Sequence, residues 1–119
     1  ENDLIDADKE QLLRVFNNLI KNALQAINDE KNGHVDINLT EEKNYIVVRV
    51  IDNGIGMNEE QKKMIFVPNF TTKTGGMGLG LAMVKSILEN INSQITFTSI
   101  ENEGTIFELK FPMATKNQI

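Results

Sequence analysis

The sequence predicts an α/β two-layer sandwich, one mixed β-sheet covered on one face by helices, and three features carry that expectation. Apolar residues across 9–30 recur at spacings of three and four, the period of a helix laid on a sheet. Two pairs of segments, within 35–51 and 95–111, alternate apolar and polar residues about polar turns, as half-buried hairpins do. The order reads strand, helix, hairpin, short helix and lid, helix, hairpin, with no internal repeat or low-complexity linker.

Composition narrows the class further. A chain of 119 residues makes one domain, assigned to 1–113 with a loose tail at 114–119, and can bury a core without metal or disulfide staples. It has no cysteine, which excludes a disulfide frame and a thiolate metal site. A net charge of −5 argues against a general nucleic-acid binder, so any polyanion must be met locally by backbone amides, a metal ion and a few lysines. The longest apolar run, 45–51, is interrupted by Arg49 and far too short to span a bilayer. No cleavable signal is read at the start, and the expectation is a cytoplasmic location without membrane insertion.

Leu4-Ile5-Asp6-Ala7-Asp8 reads as a short strand entering a helix cap, with Asp8 accepting from the first free amides. The helix predicted over 9–30 carries Leu12, Phe16, Leu19, Ile20, Ala23 and Ile27 on one stripe. Asn18, Asn22 and Gln25 line the other face, flanked by Lys21. Polar residues opposite a core stripe are usually solvated. Asparagine, however, is a poor helix former, and Asn17, Asn18 and Asn22 together suggest a ligand-facing side.

After a break at 28–33, Val35, Ile37 and Leu39 face Ile46, Val48 and Val50 across a turn at 41–44. His34, the only histidine, is read as a surface residue beside that hairpin. The second strand delivers Asp52, a carboxylate at a buried strand end, where it can accept a hydrogen bond from a ligand amino group in a partly dry pocket. Gly54 and Gly56 follow; without Cβ they permit a sharp turn and close approach of a flat ring. Taken alone, Asn53-Gly54 is an ordinary hairpin turn.

Asn58 caps a short helix running to Ile65, and Phe66-Val67-Pro68-Asn69-Phe70 then introduces a lid hinged on aromatic anchors, rich in glycine and hydroxyls over 71–76. Gly76-Met77-Gly78-Leu79-Gly80-Leu81 opens a helix to Asn92, burying Leu81, Val84, Ile87, Leu88 and Ile91. Glycines at a helix start leave amides free for phosphate. The spacing matches neither a dinucleotide fingerprint nor a P-loop. The last hairpin turns at 101–104 and supplies Phe97, Phe107, Leu109 and Phe111 to the inner face; Pro112 ends it.

These motifs, taken together, resemble the ATP-binding domain of sensor histidine kinases, within the gyrase, chaperone, kinase and mismatch-repair ATPase superfamily. Residues 18–23 resemble its asparagine box, 52–56 its first glycine box, 66–70 its phenylalanine box and 76–81 its second glycine box; the likeness runs from Asp6 to Pro112. It implies the Bergerat-type fold with a flexible lid. The wording Asn-Ala-Leu-Gln-Ala with Phe-Thr-Thr-Lys looks closest to the nitrogen-regulator type of kinase.

The resemblance implies that Asp52 binds the adenine amino group, with Gly54 and Gly56 at the ring and Thr105 supporting through its hydroxyl or a water. It implies Asn22 as the ligand of magnesium. Lys21 and Lys73 would neutralise phosphate, and the backbone at Gly76, Gly78, Leu79 and Gly80 would cradle it. Asn18 stands where hydrolysing members place a glutamate, and an amide cannot take a proton from water, so the implied reaction is transfer from ATP to a presented side chain. The implied acceptor is a histidine on a separate dimerisation helical hairpin, with a response regulator downstream; Phe66 and Phe70 would be anchors against its helices.

Three departures from the pattern are expected: His34 is read at a strand and not on a helix, the usual first strand is read as trimmed before Leu4, and Met77 stands for a common small hydroxyl while keeping the amides. Alternatives are an anti-sigma-type serine kinase, an ATP-gated clamp, which Asn18 disfavours, and a non-catalytic ATP-binding regulatory module.

Overall fold

The computed structural model describes residues 8–27, 32–68 and 80–113, which form three helices and one sheet. Helix α1 (Lys9–Ala26) starts at Asp8, whose Oδ1 accepts the Glu10 amide at 3.0 Å, as the sequence predicts. It ends four residues short of the predicted 30. The Ala26 carbonyl, which a continuing helix would give to residue 30, instead accepts the amide of Ile55 at 2.9 Å, and Ile27 is extended. The buried stripe is centred on Val15, Leu19 and Ala23, with Leu12 and Phe16 packed beside it. Val15, absent from the predicted stripe, is completely buried.

The sheet comprises β1 (Val35–Glu42), β2 (Tyr45–Asp52), β3 (Gln94–Ile100) and β4 (Gly104–Pro112) in the order β1-β2-β4-β3. Where the sequence predicts a mixed sheet, every described pairing is antiparallel. Both hairpins form as predicted, and β4 then inserts beside β2 and leaves β1 and β3 at the edges of this order. The first turn is confined to Lys43 and Asn44, with Lys43 at φ +48°. Ile37 and Leu39 point to the helix side but stay exposed, because α1 lies chiefly along β2 and leaves most of β1 uncovered.

Helix α2 (Glu59–Met64) has a reciprocal cap: Asn58 Oδ1 accepts the Gln61 amide at 2.8 Å, and Gln61 Oε1 accepts the Asn58 amide at 2.9 Å. Helix α3 (Gly80–Asn90) buries Val84, Ile87 and Leu88 beside α1 and over β3. Asn92, at φ +58°, closes it, with the Ser93 amide returning to the Leu88 carbonyl at 2.8 Å and the Asn92 amide to Glu89 at 3.1 Å.

The core between sheet and helices is Val15, Leu19, Val48, Val50, Val84, Leu88, Phe107, Leu109 and Phe111 with their neighbours. A chain of rings runs from Phe66 through Phe97 to Phe107, each step 5.9 Å between centroids. Of the segments read from the sequence, the short strand at 4–8 up to Ala7, the lid at 71–76 with Asn69 and Phe70 of its hinge, the glycines of 76–79 and the tail at 114–119 lie outside the described residues.

Candidate functional site

The antiparallel register decides what shares a face. On the helix side, Leu39, Val48, Leu109 and Ile95 form one row across the sheet, and Ile37, Val50, Phe107 and Phe97 the next. One step further, the row becomes Val35, Asp52, Thr105 and Ser99. Three adjacent strands thus place a carboxylate and two hydroxyls side by side, with Asp52 and Thr105 each 6% exposed and Ser99 5%. Burial without partners would cost each of them heavily. Asp52 Oδ1 accepts the Gly54 amide at 2.8 Å, and Ser99 Oγ lies 2.8 Å from Thr105 Oγ1.

The turn after Asp52 is gripped on two sides. Toward α1, Ile55 donates to Ala26, and Asn53 uses both ends of its amide: Oδ1 accepts the His34 amide and Nδ2 donates to the Asn32 carbonyl, each at 2.8 Å. A Cβ on Gly54 would stand 2.6 Å from the Ala26 carbonyl carbon. Toward the β3–β4 hairpin, Asn102 donates to the Ile55 carbonyl at 2.6 Å and Met57 to Ser99 Oγ at 2.9 Å. Gly56 has φ +66°, and a Cβ there would lie 2.8 Å from the Ile100 carbonyl carbon. The sharp turn is as predicted. The Cβ positions of both glycines, however, are filled by the chain's own backbone, so these residues pack the turn between α1 and the hairpin.

On α1, Asn18 and Asn22 lie one turn apart and both are half-buried, while Lys21 and Gln25 are exposed. Asn18 Nδ2 donates to the Arg14 carbonyl of its own helix at 3.1 Å. Asn22 Nδ2 is buried with no partner among the described residues, the kind of atom a ligand oxygen satisfies. Among those residues no group of three or more His, Asp or Glu could hold a metal ion. The Asn22 amide also carries an oxygen, a hard donor of the kind that Mg2+ accepts.

Gly80, buried, opens α3; Lys73, Gly76, Met77, Gly78 and Leu79 lie outside the described residues, as does Phe70. Phe66 is half-buried, its ring edge-on to Phe97 with Lys85 Nζ 5.3 Å from its centroid, so the ring is engaged within the described residues. His34 is exposed, 3.8 Å from Asp36, and outside the buried row. Sequence reasoning missed Ser99 and the amide clamp of Asn53. Ser99 was legible as a polar residue in phase with inward Ile95 and Phe97; nothing local to Asn53 announced its partners.

Comparison with known proteins agrees with this layout. The family model described as histidine kinase-, DNA gyrase B-, and HSP90-like ATPase matches residues 7–115. The sensor histidine kinase ZraS of Salmonella typhimurium is 36% identical over 115 residues, covering 96% of this chain and 24% of its own length. Sporulation kinase A of Bacillus subtilis is 42% identical over 108 residues, covering 91% of this chain and 18% of its own. The nucleotide-free catalytic domain of histidine kinase ThkA superposes with a TM-score of 0.80 at 34% identity, covering 96% of this chain and 74% of that one. Mycobacterial sensor histidine kinase MprB, at 22% identity and a TM-score of 0.81, shares the fold. The chain spans a quarter or less of the length of these curated relatives.

Proposed function

The chain belongs to the histidine kinase-, DNA gyrase B- and HSP90-like ATPases, and from that premise we propose that it binds Mg-ATP and donates the γ-phosphoryl group to a histidine on a separate helical hairpin. It is homologous to the catalytic domains of sensor histidine kinases. The observation that carries the proposal is the buried row: Asp52 held by the Gly54 amide beside Thr105, an acceptor edge at the end of an otherwise apolar face.

In this reading Asp52 accepts from the adenine amino group, in a site dry enough for the bond to discriminate. Asn22 presents its amide to the phosphates and their magnesium; the ion, when bound, neutralises charge that phosphoryl transfer develops. Lys21 and Lys73 add positive charge, and the amides from Gly78 to Gly80 cradle the phosphates at the start of α3. Asn18 has no basic atom to offer water, so the chain retains ATP until an acceptor arrives. That acceptor belongs to the dimerisation and phosphotransfer domain of a longer protein, which in turn phosphorylates a response regulator in the cytoplasm. No described helix is long and apolar enough to cross a membrane.

The test is calorimetric titration of the chain with a non-hydrolysable ATP analogue, with and without magnesium, beside Asp52→Asn. The variant keeps an oxygen for the Gly54 amide and so keeps the turn. Magnesium-assisted binding that Asp52→Asn abolishes is the expected result. Equal binding by both proteins would remove Asp52 from the site. Labelled γ-phosphate appearing on a histidine of the added helical hairpin would establish the acceptor; label on a serine of another partner would select the serine-kinase alternative.

A further inference from the structure

We infer that Ser99 is a specificity-determining positioning residue: it fixes the direction of the Thr105 hydroxyl, so that Thr105 and Asp52 together present acceptors and select an amino group over a carbonyl. The inference rests on the nucleotide reading above.

Ser99 Oγ is buried and has three neighbours: the Met57 amide at 2.9 Å, the Gly104 carbonyl at 3.1 Å and Thr105 Oγ1 at 2.8 Å. A hydroxyl has one proton and two lone pairs. Met57 occupies one lone pair. If the Ser99 proton goes to the Gly104 carbonyl, the contact with Thr105 must use the Thr105 proton, which fills the second lone pair, and all three contacts are hydrogen bonds. If the Ser99 proton goes to Thr105 instead, the Gly104 contact carries no bond. The first arrangement satisfies every buried atom of the cluster. It commits the Thr105 proton inward and leaves Thr105 only lone pairs for a ligand.

Thr105 is the direct cross-strand partner of Asp52. Two acceptors side by side match the two N–H bonds of the adenine amino group, directly or through a water. They repel the carbonyl that hypoxanthine and guanine carry at the same ring position. Without Ser99, the Thr105 proton is free to turn outward and donate to such a carbonyl. Ser99 thereby acts on base selection without touching the base.

The experiment compares ATP with ITP, which carries a carbonyl in place of the amino group and a proton on the adjacent ring nitrogen, by calorimetry on the wild-type chain, Ser99→Ala, Thr105→Val and the double variant. Losing the preference of one buried hydrogen bond is expected to narrow the ATP-over-ITP ratio about tenfold in Ser99→Ala. Thr105→Val narrows it similarly, and in that background Ser99→Ala adds nothing, because both act through one hydroxyl. Ser99→Thr, which keeps the hydroxyl, retains the wild-type ratio. A Ser99→Ala protein that melts earlier but keeps the ratio would reduce Ser99 to a structural role. If Ser99→Ala does not fold, an unchanged ratio in Thr105→Val overturns the inference equally. A wild-type chain that binds neither nucleotide would overturn the nucleotide reading itself, whereas a selective wild type with an unaltered Ser99→Ala overturns this inference alone.

Discussion

Gly104→Ala tests whether the carboxylate site depends on a hairpin remote from it in sequence. Gly104 sits at φ +132°, and a Cβ there would press on the Asp52 carbonyl oxygen while standing 2.9 Å from Asn53 Cα and 3.0 Å from the Asp52 carbonyl carbon. All three obstacles are backbone, so no rotamer change relieves them. An L residue at such a φ costs about 1–3 kcal/mol, and overpacking of this kind adds about 1–3 more, for a total of about 2–6 kcal/mol. An unfolding entropy of about 2.1 cal/mol/K per residue makes each kcal/mol worth about 4 °C for a chain of 119 residues. The variant is therefore expected to melt about 8–24 °C below wild type by circular dichroism. At a temperature where both are folded, it should bind ATP more weakly, because the relief available is to push Asp52 off its register with Thr105. Asn102→Gly is the control: Asn102 already holds φ +68°, which glycine adopts freely, so its melting point should stay near wild type. A Gly104→Ala protein melting within about 2 °C of wild type, with ATP affinity intact, would refute the reasoning, since strain of this size must appear in the midpoint.

Asn53→Ala removes both hydrogen bonds to the loop at 32–34 and should cost about 1–3 kcal/mol, with faster hydrogen exchange at the His34 amide; unchanged exchange there would show that the clamp holds nothing. Phe66→Leu keeps bulk but loses the edge-on contact with Phe97 and the Lys85 contact, and thermal unfolding should register about 0.5–1.5 kcal/mol for the ring pair. Glu108→Gln weakens its 3.2 Å pair with Arg49, both partly exposed, so the loss should stay below about 1 kcal/mol and fade in high salt. A larger, salt-independent loss would mean that the sheet's outer face is screened from water.

Much of this molecule is written locally. Asp8 and Asn58 with Gln61 mark two helix starts, because a cap needs only an oxygen and the next few amides. The alternation that sends Val48, Val50, Phe107 and Leu109 inward is a property of the strands themselves. Asp52 was identifiable as a candidate because it extends an inward-facing series, and Asn18 and Asn22 because they disfavour the helix they occupy. Val15 has helical spacing from Leu12 and Leu19, and it packs inward together with the neighbouring Phe16, so the buried stripe is wider than one line of spacings.

What the sequence determined alone, then, is each element's period, its caps and its inward residues, since these depend on neighbours within a turn or a pleat. Tertiary structure decided the rest. The insertion of β4 between β2 and β3 brought Thr105 and Ser99 into the row of Asp52; the Ile55 amide ended α1 at Ala26; and Gly54, Gly56 and Gly104 proved to be glycines because other backbone lies where a Cβ would go. Each of these depends on segments far apart in the chain meeting at hydrogen-bond distance, and local periodicity holds no record of which segments meet.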